Sequence, residues 1–111
     1  MVSRSHTYAL ELNGLWQGAF ESEPYETAWG HEIIIFIRAL EATTLPAGAK
    51  AKVQISPDGI HWCDEGAVID LPDTGKLTFC RLSHFGGWLR LKGDLPASAS
   101  MKVVAYVAMK E

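Results

Sequence analysis

The sequence predicts an all-β protein, an antiparallel β-sandwich of jelly-roll type with eight or nine strands. Short runs that are apolar throughout, or that alternate apolar with polar residues, recur between Gly, Pro and Asp residues, which is the pattern of strands joined by turns. No stretch longer than about ten residues keeps the three- and four-residue apolar spacing of a helix. At 111 residues the chain is expected to form one domain, residues 1–111.

The clearest single element is a β-hairpin at the Ser-Pro-Asp-Gly sequence of residues 56–59. An alternating strand enters this turn, and an aromatic strand that begins at Ile60 leaves it. Pro57 presets φ for the first central position of a type I turn, Asp58 suits the second, and Gly59 tolerates the positive φ that follows. A hairpin with one apolar face needs a second sheet to cover it, which predicts the sandwich.

The other strands follow from the same patterns along the chain. The predicted strands are residues 8–12, 15–20, 31–40, 51–56, 60–64, 67–71, 76–82, 88–92 and 101–109. Two segments are predicted loops, the acidic and proline-containing residues 21–27 and the small, polar residues 95–100. Nine short strands in one small domain is the number expected of a jelly roll or a related sandwich.

Two of the predicted strands are apolar on both faces. Residues 33–37 contain only Ile and Phe, and the last strand is apolar beyond Lys102. Such a strand lies inside a sheet, with the core on one side and a covering element on the other. For residues 33–37 that cover is either a neighbouring subunit, which would make the protein a homo-oligomer, or a loop or N-terminal arm of the same chain.

Composition argues against several classes of partner. The net charge is −3 with acids and bases interspersed, so nucleic acid is not an expected partner. The apolar run at residues 33–37 is far shorter than the ~20 residues of a membrane span, so no membrane insertion is expected. Residues 1–6 contain no apolar stretch, so no signal peptide is expected. The protein then stays in the cell or leaves by lysis or a dedicated machine.

The sequence does not predict an enzyme, and we assign no catalytic or cofactor-binding residues. The paired acids Asp64-Glu65 and Asp70 with Asp73 are expected to face water, away from any apolar pocket that would raise the pKa of a carboxyl group. No serine lies in the G-x-S-x-G sequence of a nucleophile elbow.

The two cysteines leave three alternatives open. Cys63 and Cys80 are expected to be reduced thiols, or to form a disulfide if the strands that carry them pair. A zinc site formed by His61, Cys63, Cys80 and His84 is the weaker alternative, because no CxxC or HxxxH spacing supports it.

Aromatic residues supply the candidate contact sites. Trp29 lies between the acidic loop and the apolar strand, and of the aromatic residues it is the one predicted to be exposed. We predict Trp29, Tyr25 and Ile35 as assembly-contact residues, because interface centres favour aromatic and aliphatic anchors. The alternative is a carbohydrate-binding surface, since exposed rings also stack on sugars.

The hairpin Ser56 to Trp62, the strand Trp88 to Lys92, a small polar loop and a last apolar strand together resemble two groups of proteins. Discoidin-like sandwiches carry an S-x-D-G-x-x-W hairpin and a late strand of aromatic, hydrophobic, Arg and hydrophobic residues. More closely, residues 30–111 resemble small single-domain β-sandwich proteins encoded among the virion genes of tailed bacteriophages and prophages.

The phage resemblance implies a non-enzymatic capsid-decoration or tail-associated protein, made in the host cytoplasm and located in the virion. Its partners would be copies of itself or other virion proteins. The discoidin resemblance implies instead a module for carbohydrate or lipid headgroups, with its ligand loops at one end of the sandwich. The chain departs from the usual phage pattern at His61, Cys63 and Cys80, where small hydroxylated or aliphatic residues are commoner.

Overall fold

Nine β-strands form two antiparallel sheets in the computed structural model, which describes residues 5–42, 45–83 and 85–110. No helix occurs among these residues, so none of them forms a helix that could cross a membrane. The strands are β1 (Ser5–Gln17), β2 (Ala19–Glu21), β3 (Tyr25–Glu26), β4 (Glu32–Ala42), β5 (Lys50–Ser56), β6 (Cys63–Asp70), β7 (Leu77–Ser83), β8 (Trp88–Asp94) and β9 (Ser100–Lys110).

The strand order confirms the predicted jelly-roll sandwich. Sheet A has the order β1-β9-β4-β7, and sheet B has the order β2-β8-β5-β6, with β3 also pairing with β8. Apart from the step from β2 to β3 and the hairpin from β5 to β6, every connection crosses from one sheet to the other. This nesting of early and late strands in both sheets is the jelly-roll arrangement.

The core lies between the two sheets and follows the two-residue period of the strands. Every second residue from Ile33 to Ala39 on β4 and from Met101 to Met109 on β9 points inward and is buried, while the residues between them point away from sheet B. The two strands predicted to lie inside a sheet do so, because β4 lies between β9 and β7, and β9 lies between β1 and β4. The largest fully buried side chains are Trp16, Ile33, Ile35, Ile37, Val53, Ile69, Leu89, Leu91, Met101, Val103, Val107 and Met109.

An aromatic stack fills one end of the core. Gly93 on β8 is directly opposite Phe20 on β2, and the Phe20 ring lies against it. That ring also stacks on Trp16, with ring centroids 4.5 Å apart and an interplanar angle of 12°. A glycine at position 93 therefore makes room for the second ring of the stack.

Two predicted strand boundaries were wrong. Residues 8–12 and 15–17 form one long β1, because the break expected near Asn13 is a bulge in which Asn13 adopts a φ of 56°. The chain breaks instead at Gly18, which has a φ of 55°, so the end of the predicted strand 15–20 belongs to β2 in the other sheet. Likewise β6 continues through Gly66, where the register against β5 shifts and the chain remains in the sheet. A bulge places an extra residue in a strand without ending the pairing.

The predicted loop 21–27 also contains a short strand, β3, which pairs with β8. Ser22 links the two short strands of this region to β8, because its N–H donates to Leu91 O and its Oγ accepts from Leu91 N–H, both at 2.8 Å. A buried serine therefore replaces one step of the ladder.

The hairpin at residues 56–59 is confirmed, but its loop is longer than predicted. Gly59 has the expected positive φ, at 78°. The Ser56 hydroxyl accepts hydrogen bonds from the N–H groups of Asp58 and Gly59, and Asp58 Oδ1 accepts from those of Ile60 and His61. These side-chain bonds satisfy the backbone outside the ladder, so β6 begins at Cys63 instead of Ile60.

Candidate interaction surface

The most unusual surface of the molecule is the side of sheet A that faces away from sheet B. We call it the outer face of sheet A. A solvent-facing sheet surface is normally polar, yet β4, β7 and β9 all place apolar side chains here. Its apolar residues include Ile34, Phe36, Leu77, Phe79, Val104, Tyr106 and Ala108.

The register aligns these residues in rows across the strands. Phe36 is directly opposite Phe79 on one side and Tyr106 on the other, and the two phenyl rings are 6.2 Å apart. Phe79 in this row is 54% exposed, and Leu77 in the next row, opposite Arg38, is 57% exposed. The row is thus a continuous apolar strip across three strands that remains open to solvent.

A shallow groove of about 500 Å³ runs along this face. Ile34, Phe36 and Ala108 contribute apolar lining, and Glu32 and Lys110 contribute charges of opposite sign. Arg81 also lines it, with its guanidinium carbon 5.4 Å from the centroid of the Phe79 ring. The groove therefore combines apolar area with both signs of charge.

The corresponding outer face of sheet B is built differently. Arg90 stacks on Trp62 at 4.3 Å and pairs with Glu21 at 3.0 Å. Its Nε donates to Gln54 at 2.8 Å, and Gln54 donates to Asp64 at 2.9 Å. These hydrogen bonds to the Asp64 carboxylate, from Gln54 and from Lys52, lower its pKa. Sheet B thus has the polar, cross-linked surface expected of a sheet that faces water, and sheet A does not.

Ile35, which the sequence predicted as an assembly contact, does not lie on the outer face of sheet A. Its side chain is 0% exposed and packs in the core between the sheets, so it cannot touch a partner in this fold. The adjacent residues Ile34 and Phe36 have the opposite orientation and lie on the outer face of sheet A. The prediction of a second, unpacked side to this strand therefore applies to Ile34 and Phe36.

Trp29 and Tyr25 lie together in what we call the aromatic corner, which also contains His6 and Tyr8. Tyr8 is on β1 at the edge of sheet A, and Tyr25 is on β3 at the edge of sheet B. Their rings are 5.2 Å apart, and Trp29 meets His6 edge-on at 5.3 Å. Burial, followed by the neighbouring Tyr8, raises the pKa of Tyr25. The aromatic corner closes the gap between the sheets on this side while Trp29 remains 38% exposed.

The two cysteines are free thiols on strands of different sheets. The condition for a Cys63 to Cys80 disulfide, that their strands pair, is not met, because β6 pairs with β5 and β7 pairs with β4. Cys63 is exposed, whereas Cys80 points inward from β7. Burial, with a smaller contribution from the charge of Glu65, raises the pKa of Cys80 to about 11.

The four residues considered for zinc do not converge within the part of the chain that is described. His84 lies outside the described residues, and His61 is occupied by the hairpin loop, where its Nδ1 is 2.7 Å from Asp58 Oδ2. No group of three or more His, Cys, Asp or Glu side chains suited to a metal ion occurs among residues 5–42, 45–83 and 85–110.

Sequence reasoning missed Leu77, Phe79 and Tyr106 as surface residues. The signal was available for β7, whose alternation places Leu77 and Phe79 on one face and Cys80 and Leu82 on the other. Both faces of β7 are therefore apolar, as in β4.

No protein-family model and no curated protein sequence matches this chain.

Proposed function

We propose that this protein is a non-enzymatic structural protein that acts by associating with copies of itself. We further propose that it is a virion component of a tailed phage or phage-like particle, either a capsid-decoration or a tail-associated protein. The observation that carries the proposal is the apolar outer face of sheet A, since large apolar patches on soluble proteins commonly mark interaction sites. Jelly rolls also build viral capsid domains, and this fold-level analogy fits the phage resemblance.

The size of the face indicates how strong this contact can be. Four strands about 4.8 Å apart and seven residues long at about 3.4 Å each give a projected area of about 450 Å². A stable interface buries about 800 Å² on each partner. Contact through this face alone is therefore expected to be weak, and a symmetric particle would strengthen it by engaging many copies at once.

The test is the solution mass of the purified chain by light scattering over a range of concentrations with reductant present. The double variant Phe36→Thr and Phe79→Thr keeps strand-forming residues but removes both rings, and it should weaken association by about tenfold or more. Val68→Thr is the matched control, because Val68 is an apolar side chain on sheet B that is 48% exposed. A 12.2 kDa monomer at every concentration, or equal effects of the two changes, would refute self-association through this face.

The aromatic corner favours a second candidate, carbohydrate binding. Trp29 and Tyr8 are partly exposed at the edge of the sandwich, and jelly rolls also form lectin domains. Titration with a panel of glycans should then change tryptophan fluorescence, and Trp29→Ala should abolish the change without altering the solution mass. If Trp29→Ala alters the mass instead, the corner is an assembly contact, as the sequence predicted.

A further inference from the structure

The four sheet edges of the molecule are not equally protected. An exposed strand edge can pair with another chain, and proteins protect such edges with bulges or very short strands. The edge strand β1 has two register shifts, and β6 has one. On the opposite side of sheet B, β2 and β3 are three and two residues long. The edge strand β7 has neither protection, because it pairs with β4 over seven residues without a register shift.

The ladder shows which backbone groups β7 directs outward. The N–H of Ala39 on β4 donates to Lys76 O at 3.3 Å, in register with the β4–β7 pairing. In an antiparallel ladder the N–H and C=O of one residue point the same way, and successive residues alternate. Every second residue from Lys76 therefore faces β4. The residues whose backbone groups face the free edge are Leu77, Phe79, Arg81 and Ser83.

We propose that the free edge of β7 pairs antiparallel with β7 of a second copy of this chain, about a two-fold axis at Cys80. The pairing would join two four-stranded sheets into one sheet of eight strands. This inference rests on the proposed self-association and adds a second contact to it, because the outer faces of the two sheets would lie side by side in the joined sheet and remain open to further copies. The edge contact also supplies the additional contact that the outer face of sheet A, at about half the usual interface area, requires.

The side chains of β7 select this register. With the axis at Cys80, Leu77 is opposite Ser83 of the second copy, and Phe79 is opposite Arg81 of the second copy. All four edge-facing residues then form backbone hydrogen bonds. The guanidinium of Arg81 already lies over the Phe79 ring within one chain, and the paired strands offer the same attraction between copies.

The neighbouring registers are less favourable. An axis at Arg81 would place two guanidinium groups directly opposite each other, and like charges in that position destabilise a strand pair. An axis at Phe79 would leave Ser83 without a partner strand and would place Arg81 opposite Leu77. The register centred on Cys80 is thus the one that satisfies both the backbone and the charges.

The Cys80 register has a direct chemical test. Facing residues of a non-hydrogen-bonded antiparallel pair have Cα atoms about 4.5 Å apart, which lies within the range that a disulfide spans. In a Cys63→Ser background, copper-phenanthroline and oxygen take two electrons from the two Cys80 thiols, release two protons and form one S–S bond. Because burial raises the pKa of Cys80 to about 11, the oxidation is run at alkaline pH, where more thiolate is present.

A matched control tests the register. In a chain that carries Cys63→Ser, Cys80→Ser and Thr78→Cys, the single cysteine lies on the same inward face two residues away. In the proposed register it is opposite Leu82 of the second copy, so it should cross-link at least about tenfold more slowly. Arg81→Pro removes an N–H that faces the free edge and leaves the β4 ladder intact, so it should abolish the Cys80 cross-link. Circular dichroism is used to check that this variant remains folded.

The outcomes separate the two proposals. Oligomers that cross-link selectively at Cys80 support both. Oligomers without that cross-link, or with equal cross-linking at positions 78 and 80, overturn the edge pairing while self-association stands. A monomer that does not cross-link at any concentration overturns both.

Discussion

The stack of Gly93, Phe20 and Trp16 leads to a prediction with a definite magnitude. In Gly93→Ala the new Cβ would overlap the tip of the Phe20 ring and would lie 2.8 Å from its Cε1 atom. The movement of the ring is restricted, because it is stacked on the buried Trp16. The added methyl group therefore forces the ring or the backbone out of its optimal position.

Overpacking of this kind costs about 1–3 kcal/mol. A chain of 111 residues has an unfolding entropy of roughly 0.23 kcal/mol/K, so each 1 kcal/mol lowers the melting temperature by about 4 °C. We therefore expect Gly93→Ala to lower the melting temperature by about 4–13 °C. Gly87→Ala is the matched control, because Gly87 lies at the other end of β8 and a Cβ there would meet its nearest atom at an ordinary 3.6 Å.

A double-mutant cycle tests the cause. Phe20→Leu removes the ring, so adding Gly93→Ala to that variant should be neutral or should stabilise the fold by up to about 1 kcal/mol, through the lower entropy of the unfolded chain. Both steps are measured by thermal and urea unfolding. If Gly93→Ala costs the same with and without the Phe20 ring, the steric reasoning is wrong.

Two further predictions concern loops. Hydrogen bonds from the His61 N–H, the His61 ring and the Ile60 N–H hold the pKa of Asp58 below its ordinary value, so its stabilising effect is complete above about pH 5 and is lost as the pH falls toward its lowered pKa. The stability difference between the native chain and Asp58→Asn should therefore shrink between about pH 5 and pH 2, and a constant difference would contradict this. Thr27 is fully buried and its hydroxyl donates to Gly86 O at 2.8 Å, so Thr27→Val should cost about 1–3 kcal/mol in urea unfolding. Thr27→Ser retains the hydroxyl donor and should lower the free energy of unfolding by less. Equal losses for the two variants would show that the packing of the methyl group, and not the hydrogen bond, stabilises the fold at this position.

The sequence predicted the fold class because periodicity and turn chemistry are local. The hairpin at residues 56–59 needed only Pro57, Asp58 and Gly59. The length of the hairpin loop depends on which backbone N–H groups donate to the side chains of Ser56 and Asp58. Residue types alone do not specify those donors. The sequence predicted a break between two strands at Gly66 for a related reason, because a glycine suits both a turn and a bulge.

The candidate surface was predicted only in part. The run of Ile and Phe at residues 33–37 showed that both sides of the strand are apolar, but an alternating pattern does not say which set of residues points inward when both are apolar. The pairing of β4 with β7 and β9 fixes that orientation, and it places Ile35 inside with Ile34 and Phe36 outside. The free edge of β7 is a property of sheet order, which depends on contacts between distant parts of the chain.

The position of β9 has a consequence for how the chain acquires its fold. The last strand is an interior strand of sheet A, so β1 and β4 have no shared partner until Ser100–Lys110 is available. During synthesis the sheet therefore cannot assemble before these residues leave the ribosome. Until then the edge of the apolar strand β4 that pairs with β9 remains unpaired. Folding that depends on such distant pairings takes on the order of milliseconds to seconds, and over that interval an exposed β4 is open to mispairing with other nascent chains.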